Sequence, residues 1–178
     1  MKHVVLTGFM AVGKTAVGKR LARRLGWDFY DTDELIERRT GRSIPELFAC
    51  EGEPYFRSLE REVVASLRPP RPSVIATGGG TFVDSDNRRH LRALGIVVCL
   101  VTSIETVLAR VGRSNKRPLA VRQGREGLER LFRERMPAYR QADVLVETDG
   151  LTIEQSVARI LAMIEPRLRG EASRDPGR

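Results

Sequence analysis

The chain has 178 residues, of which 41% are hydrophobic, and its 31 Lys and Arg against 23 Asp and Glu give a formal net charge of +8. This length predicts one domain with a sizeable buried core, and the lack of any run of about 18 apolar residues argues against a membrane span. Met1-Lys2-His3 leads straight into an apolar strand, which leaves no room for a signal peptide and predicts a cytoplasmic protein, and Cys50 and Cys99 lack the partners for a zinc site or a nucleophilic triad.

Residues 2–7 read as a short buried strand, and 14–25 as a helix with Ala16, Leu21 and Leu25 toward the core and Lys19, Arg20, Arg23 and Arg24 toward water. Trp27-Asp28-Phe29-Tyr30 is a second strand, ending at Asp31-Thr32-Asp33. Helical segments follow at about 33–40, 43–50 and 53–67, interrupted by Gly41 and Gly52. A basic, proline-rich link at 68–72 leads to a third strand at 73–77, which runs into Gly78-Gly79-Gly80. A helix is expected over 84–94, and 96–101, the most apolar strand and expected to be the central one, contains Cys99 as a core residue. Helix is expected again at 103–111. Residues 112–124 are basic and weakly periodic, 125–136 return to helix, 143–146 form a fifth strand and 152–164 the last helix. The rest, from Glu165 on, reads as a loose solvated tail.

Strands alternating with helices, several with wholly apolar centres, predict an α/β fold with a parallel sheet covered on both faces. Ligands collect outside the carboxyl ends of such strands. Three segments should meet there: residues 8–15, Asp31-Thr32-Asp33 and Gly78-Gly79-Gly80.

Residues 8–15 read Gly8-Phe9-Met10-Ala11-Val12-Gly13-Lys14-Thr15, a complete Walker A pattern in a strand–loop–helix frame. Such a loop turns backbone N–H groups around a phosphate, with Lys14 reaching the β- and γ-phosphates and the Thr15 hydroxyl on Mg²⁺. The expected nucleotide-binding set is Gly8, Met10, Ala11, Val12, Gly13, Lys14, Thr15 and Ala16, with Arg110, Arg117 and Pro118 from further along. No Walker B aspartate follows the third or fourth strand, so Asp31 is the candidate for the metal side, holding Mg²⁺ through water. Asp33 is assigned to the acceptor hydroxyl, orienting it in line with the γ-phosphate. A plain helix cap competes with either role.

Arg57 and Glu60, three apart, share a helix face, so Glu60 can fix Arg57 for a bidentate carboxylate contact; a surface ion pair is the competing reading. The triple glycine lets a ligand approach the backbone and offers N–H donors. Arg135, four residues before Tyr139, is a second guanidinium for an acceptor carboxylate, or else solvated charge. Asp33, two arginines and glycine amides suit a small hydroxylated anion. The stretch 112–124 reads as a lid that excludes water, with Arg117 supplying charge to the transferring group; Arg110 would stack on the adenine and Pro118 line the same side.

Taken together, these motifs resemble bacterial shikimate kinases. The resemblance runs through Gly8–Thr15, Asp31-Thr32-Asp33, Gly41-Arg42-Ser43-Ile44-Pro45-Glu46-Leu47-Phe48, Gly52-Glu53, Phe56-Arg57, Glu60, Gly78-Gly79-Gly80, Arg117-Pro118-Leu119 and Arg135 with Tyr139, over about residues 2–165. It implies ATP- and Mg²⁺-dependent phosphorylation of the 3-hydroxyl of shikimate on the chorismate route. It also implies a P-loop fold of the nucleoside-monophosphate-kinase type, with strand order 2-3-1-4-5, in a monomer. By this likeness Asp33, Arg57, Gly79 and Arg135 contact shikimate, Lys14 and Arg117 serve the phosphates, Thr15 and Asp31 the metal, and Arg110 the adenine. Residues 1–166 would be one domain, with an acceptor segment at about 32–60 and a lid at 112–124, and 167–178 a basic tail. Val12 departs from the family's frequent small residue, without expected loss of function. A gluconate-type kinase and a nucleotide-dependent RNA- or protein-binding switch are the rival readings; neither nucleic acid nor membrane is expected as a partner.

Overall fold

The computed structural model describes residues 3–111 and 118–169, with 118–123 described by backbone alone. Five strands, β1 (His3–Thr7), β2 (Asp28–Asp31), β3 (Ser73–Ala76), β4 (Gly95–Val101) and β5 (Val144–Glu147), form one sheet in the order β2-β3-β1-β4-β5, every pair parallel. The burial patterns explain the order. β1 and β3 are buried at every residue, as strands covered on both faces must be, whereas β5 alternates buried and exposed residues, as an edge strand can. β1, not β4, is the central strand. β4 is interior too, between β1 and β5, and its apolar run reports burial on both faces rather than rank in the sheet.

Helix α1 (Lys14–Leu25) packs on β1, β2 and β3 and against α8 (Ile153–Leu168), which also meets β4 and β5. Helix α5 (Ser85–Leu94) packs on β1, β4 and α4 (Gly52–Ser66). The result is the three-layer arrangement expected. A 3₁₀ turn, Thr81–Val83, follows the triple glycine. Two further helices, α2 (Thr32–Thr40) and α3 (Ile44–Cys50), join α4 in a second, smaller core of Ile36, Leu47, Phe48, Phe56, Leu59 and Val63. Burying six such side chains contributes on the order of 10 kcal/mol before chain entropy is counted. Ser43 starts α3 through a reciprocal capping box with Glu46.

Three expectations are corrected. Ala16 is exposed, and Val17, Gly18, Leu21 and Ala22 carry the buried face of α1, because the first turn of that helix fronts the cleft rather than the sheet. Helix α7 runs Pro118–Tyr139, so the end of the weakly periodic stretch is helical, broken at Gly124 by left-handed backbone (φ 61°). The last helix continues through Pro166 to Leu168 instead of fraying at Glu165. Ile164 there is fully buried and Leu168 packs on the same core, a stronger term than the local charge density that read as tail.

Candidate active site

The carboxyl ends of β1, β2 and β3 open onto a cleft of about 760 Å³. On one side lies the phosphate loop, shaped by backbone. Gly8 has φ +135°, and a Cβ there would stand 2.4 Å from the Leu100 carbonyl oxygen, so only glycine fits. Ala11, at φ 65°, is the one non-glycine residue with positive φ among the described residues, a conformation that costs about 1 kcal/mol. Arg110, on α6 (Ile104–Val111), donates to the Ala11 carbonyl at 2.9 Å and buttresses this strained turn. Lys14 is buried, and its Nζ donates to the Gly8 and Phe9 carbonyls at 2.9 and 2.8 Å, folded over the loop. The Val12 side chain is buried in the main core. Met10, Ala11, Gly13, Lys14, Thr15 and Ala16 line the cleft; Gly8, Val12 and Arg110 are not part of its lining, and Arg110 reaches the loop through the Ala11 carbonyl.

Asp31 reconciles two competing readings. Its Oδ1 accepts the Asp33 N–H at 3.0 Å and so caps α2, while its Oδ2 accepts the Thr15 hydroxyl at 2.8 Å. Two oxygen donors thus sit side by side at the mouth of the phosphate loop. Among the described residues no cluster of three or more His, Cys, Asp or Glu could hold a metal alone. A donor set this sparse fits Mg²⁺, which takes one or two protein oxygens and completes its octahedron with phosphate and water.

The opposite side is built from side chains. Asp33, in the first turn of α2, lines the cleft, and its Oδ1, packed against Gly78, is buried and has no hydrogen-bond partner among the described residues. Burial above all, then the nearby Asp31 and Glu60 carboxylates, push its pKa up to about 7 against the opposing pull of Lys14. Arg57, on α4, is clamped: Nη1 meets Glu60 at 2.5 Å, while Nε and Nη2 reach one Glu53 oxygen at 3.1 and 2.9 Å. Burial works against its charge, yet Glu60 and Glu53 hold its pKa above the ordinary value. Glu60 is only 2% exposed, and its second oxygen accepts the Thr81 hydroxyl at 2.5 Å. The surface-pair reading of Arg57 and Glu60 therefore fails.

None of the three glycines at 78–80 has a positive φ; close approach accounts for them. A Cβ at Gly78 would stand 2.7 Å from Asp33 Oδ1, and one at Gly80 2.6 Å from the Arg57 guanidinium. The Gly78 N–H is already used by the Thr32 hydroxyl at 3.0 Å, so it is not one of the donors offered to a ligand. Arg135 is buried, with its guanidinium 5.8 Å from the Phe9 ring centre, and is in none of the ion pairs among the described residues. Solvated charge does not describe it. Asp33, Arg57, Glu60, Gly78, Gly79, Gly80 and Arg135 all line the same cleft as Lys14 and Thr15.

A model of the shikimate kinase family matches residues 10–165. The chain belongs to the shikimate kinase family. A shikimate kinase from Thermodesulfovibrio yellowstonii is 40% identical over 96% of this chain and 99% of the relative. The solved shikimate kinase from Acinetobacter baumannii, in complex with shikimate, superposes with a TM-score of 0.88 at 39% identity, over 94% of each chain. A gluconokinase from Sinorhizobium meliloti 1021, 15% identical with a TM-score of 0.57, shares the fold alone. The enzyme is thus a phosphotransferase of the shikimate kinase type, which sets aside both the gluconate reading and the binding switch. Among shikimate kinase features, Arg117 lies outside the described residues, as does the rest of 112–117, and Pro118 is known only as the start of α7.

Sequence reasoning missed several contributors. Thr32 and Thr81 act through hydrogen bonds between elements that no spacing rule reveals, whereas Glu53 meets Arg57 four residues on along α4, a spacing that helix periodicity could have found. Ile44, Pro45, Phe48 and Phe56 form an apolar wall, with the Phe48 and Phe56 ring centres 4.7 Å apart. Glu37 joins α2 to α3 by accepting the Ile44 N–H at 2.9 Å.

Proposed function

We propose that this enzyme transfers the γ-phosphoryl group of ATP to the 3-hydroxyl of shikimate, with the site roles that follow. One observation carries the reading: a Walker A loop with its lysine and a pocket with the Asp33 carboxylate and two guanidiniums line a single cleft. Arg57 and Arg135 hold the shikimate carboxylate, Glu60 and Glu53 keeping Arg57 in its fork geometry. Glycines 78–80 let the ring approach the backbone. Asp33, whose Oδ1 has no partner among the described residues, accepts the hydrogen bond of the reacting hydroxyl and points its oxygen along the line of transfer. Lys14 leaves its loop carbonyls for the phosphate oxygens and, with Arg117, meets the charge that develops on the transferred group. Thr15 directly, and Asp31 through water, would hold Mg²⁺. The ion's chemistry there is to neutralise and orient the β- and γ-phosphate oxygens.

Arg110 and Pro118 flank the nucleotide base, and 112–124 close over the phosphates so that water does not compete for transfer. The chain through Leu168 acts as one domain with an acceptor segment at about 32–60, in a cytoplasmic monomer without nucleic-acid or membrane partners. No helix among the described residues is long and apolar enough to cross a membrane. The test is a panel of acceptors (shikimate, quinate, gluconate and nucleoside monophosphates) with Mg-ATP and direct identification of the phosphorylated product. Shikimate 3-phosphate as the dominant product supports the proposal; preferred turnover of another acceptor rejects it.

A further inference from the structure

Tyr139 is the largest fully buried side chain of the described residues and ends α7, the helix whose first turns overlap the segment assigned as a lid. Its hydroxyl donates to the Gly79 carbonyl, the middle of the triple glycine, across 60 residues of sequence. Gly79 is pinned from another side as well: a Cβ there would stand 3.2 Å from the Met10 backbone nitrogen of the phosphate loop. The glycine strap therefore lies between that loop and Tyr139. Arg135 sits one turn earlier on the same helix and lines the cleft.

A trans peptide is planar, with C=O and N–H opposed. Fixing the Gly79 carbonyl toward Tyr139 turns the N–H of Gly80 the opposite way, and the hydrogen bond polarises that N–H. Glycine residues have no side chain to hold this orientation themselves, so an outside donor must set it. Burial keeps the phenol protonated far above its usual range, against the nearby Arg135 charge, so the donor persists across working pH.

We propose that Tyr139 is a positioning residue for the acceptor: it fixes the Gly79–Gly80 peptide against the phosphate loop and couples that strap to Arg135 on α7, so that shikimate binding depends on it while nucleotide binding does not. This rests on the acceptor pocket assigned above. Wild-type turnover of shikimate tests that assignment, and the variant tests only the coupling.

Tyr139→Phe removes one oxygen and keeps the ring. Expected are a rise of about tenfold in the shikimate KM, with kcat changed less, and an ATP KM within twofold of wild type. Ile164→Val, in the core under α8, serves as a control that costs stability without touching the cleft, and both KM values should stay at wild type. Kinetics are read below each variant's own melting midpoint, and ADP in the purification buffer recruits the folded form by mass action. A lower melting midpoint with an unchanged shikimate KM would reduce Tyr139 to a packing residue. Equal rises in both KM values would also overturn the proposal, because the coupling would then not be to the acceptor. Failure of Tyr139→Phe to fold even with ADP would overturn it too, by making the hydroxyl a requirement of the fold.

Discussion

The two halves of the cleft are built on different principles. The phosphate loop is a backbone device: it follows the central strand, its shape is set by Gly8, Ala11 and Gly13, and the Val12 side chain serves the core. The acceptor half is a side-chain device. Its groups come from α2, α4, the glycine strap and α7, and are held by carboxylate–guanidinium and hydroxyl contacts over a small core of their own. A backbone device tolerates most side-chain changes and fails at glycines. A side-chain device fails wherever one charge is left unpaired in a buried place.

The largest expected effect lies in the acceptor half. Asp33→Ala should lower kcat by about 10²- to 10⁴-fold, with ADP affinity within a few-fold of wild type by calorimetry. Near-normal turnover would remove Asp33 from the reaction, and a matching loss of ADP affinity would erase the division between the halves.

A second, smaller effect is on stability and its sign is fixed. The Asp33 pKa is about 7 in the fold, well above the 3.8 of an ordinary aspartate. Between those limits the native state holds a proton that the unfolded chain has lost, so this group's contribution is present at low pH and declines as pH rises toward 7. Asp33→Asn removes the penalty, which at about 1.4 kcal/mol per unit is at most about 4 kcal/mol. In urea unfolding, the variant's advantage over wild type should therefore grow from pH 5 to pH 8. A constant or shrinking advantage would mean that Asp33 is not held in an environment hostile to its charge.

The smallest effect concerns neither half. Because α8 reaches Leu168, a deletion that spares it begins at residue 170. Removing 170–178 should leave shikimate turnover within twofold, read in the same assay; a large loss with the fold intact would give the tail a role in the mechanism.

The division also explains what the sequence made legible. The phosphate loop is contiguous, so its motif and flanking strand and helix could be read together, and alternating α/β elements carried the parallel sheet. Its order came from resemblance. In the acceptor half Arg57 and Glu60 were visible because three residues on a helix share a face, yet Thr81, which completes Glu60, lies 21 residues away, and the Tyr139 contact spans 60. Such contacts are products of tertiary packing and have no local period. Ala16 was misplaced because residues fronting a cleft look, by composition, like residues fronting a core. The end of α8 was missed because the packing of the partly buried Leu168 on the core outweighed a charged, proline-containing stretch.

The central claim is that two guanidiniums converge on one acceptor carboxylate beside the triphosphate. Calorimetric binding of shikimate and of its methyl ester, to wild type and to Arg57→Ala and Arg135→Ala, tests it directly. Wild type should bind the acid about 10- to 100-fold more tightly than the ester, as expected for charged hydrogen bonds, and each variant should lose most of that preference. Equal binding of acid and ester by wild type would contradict the account.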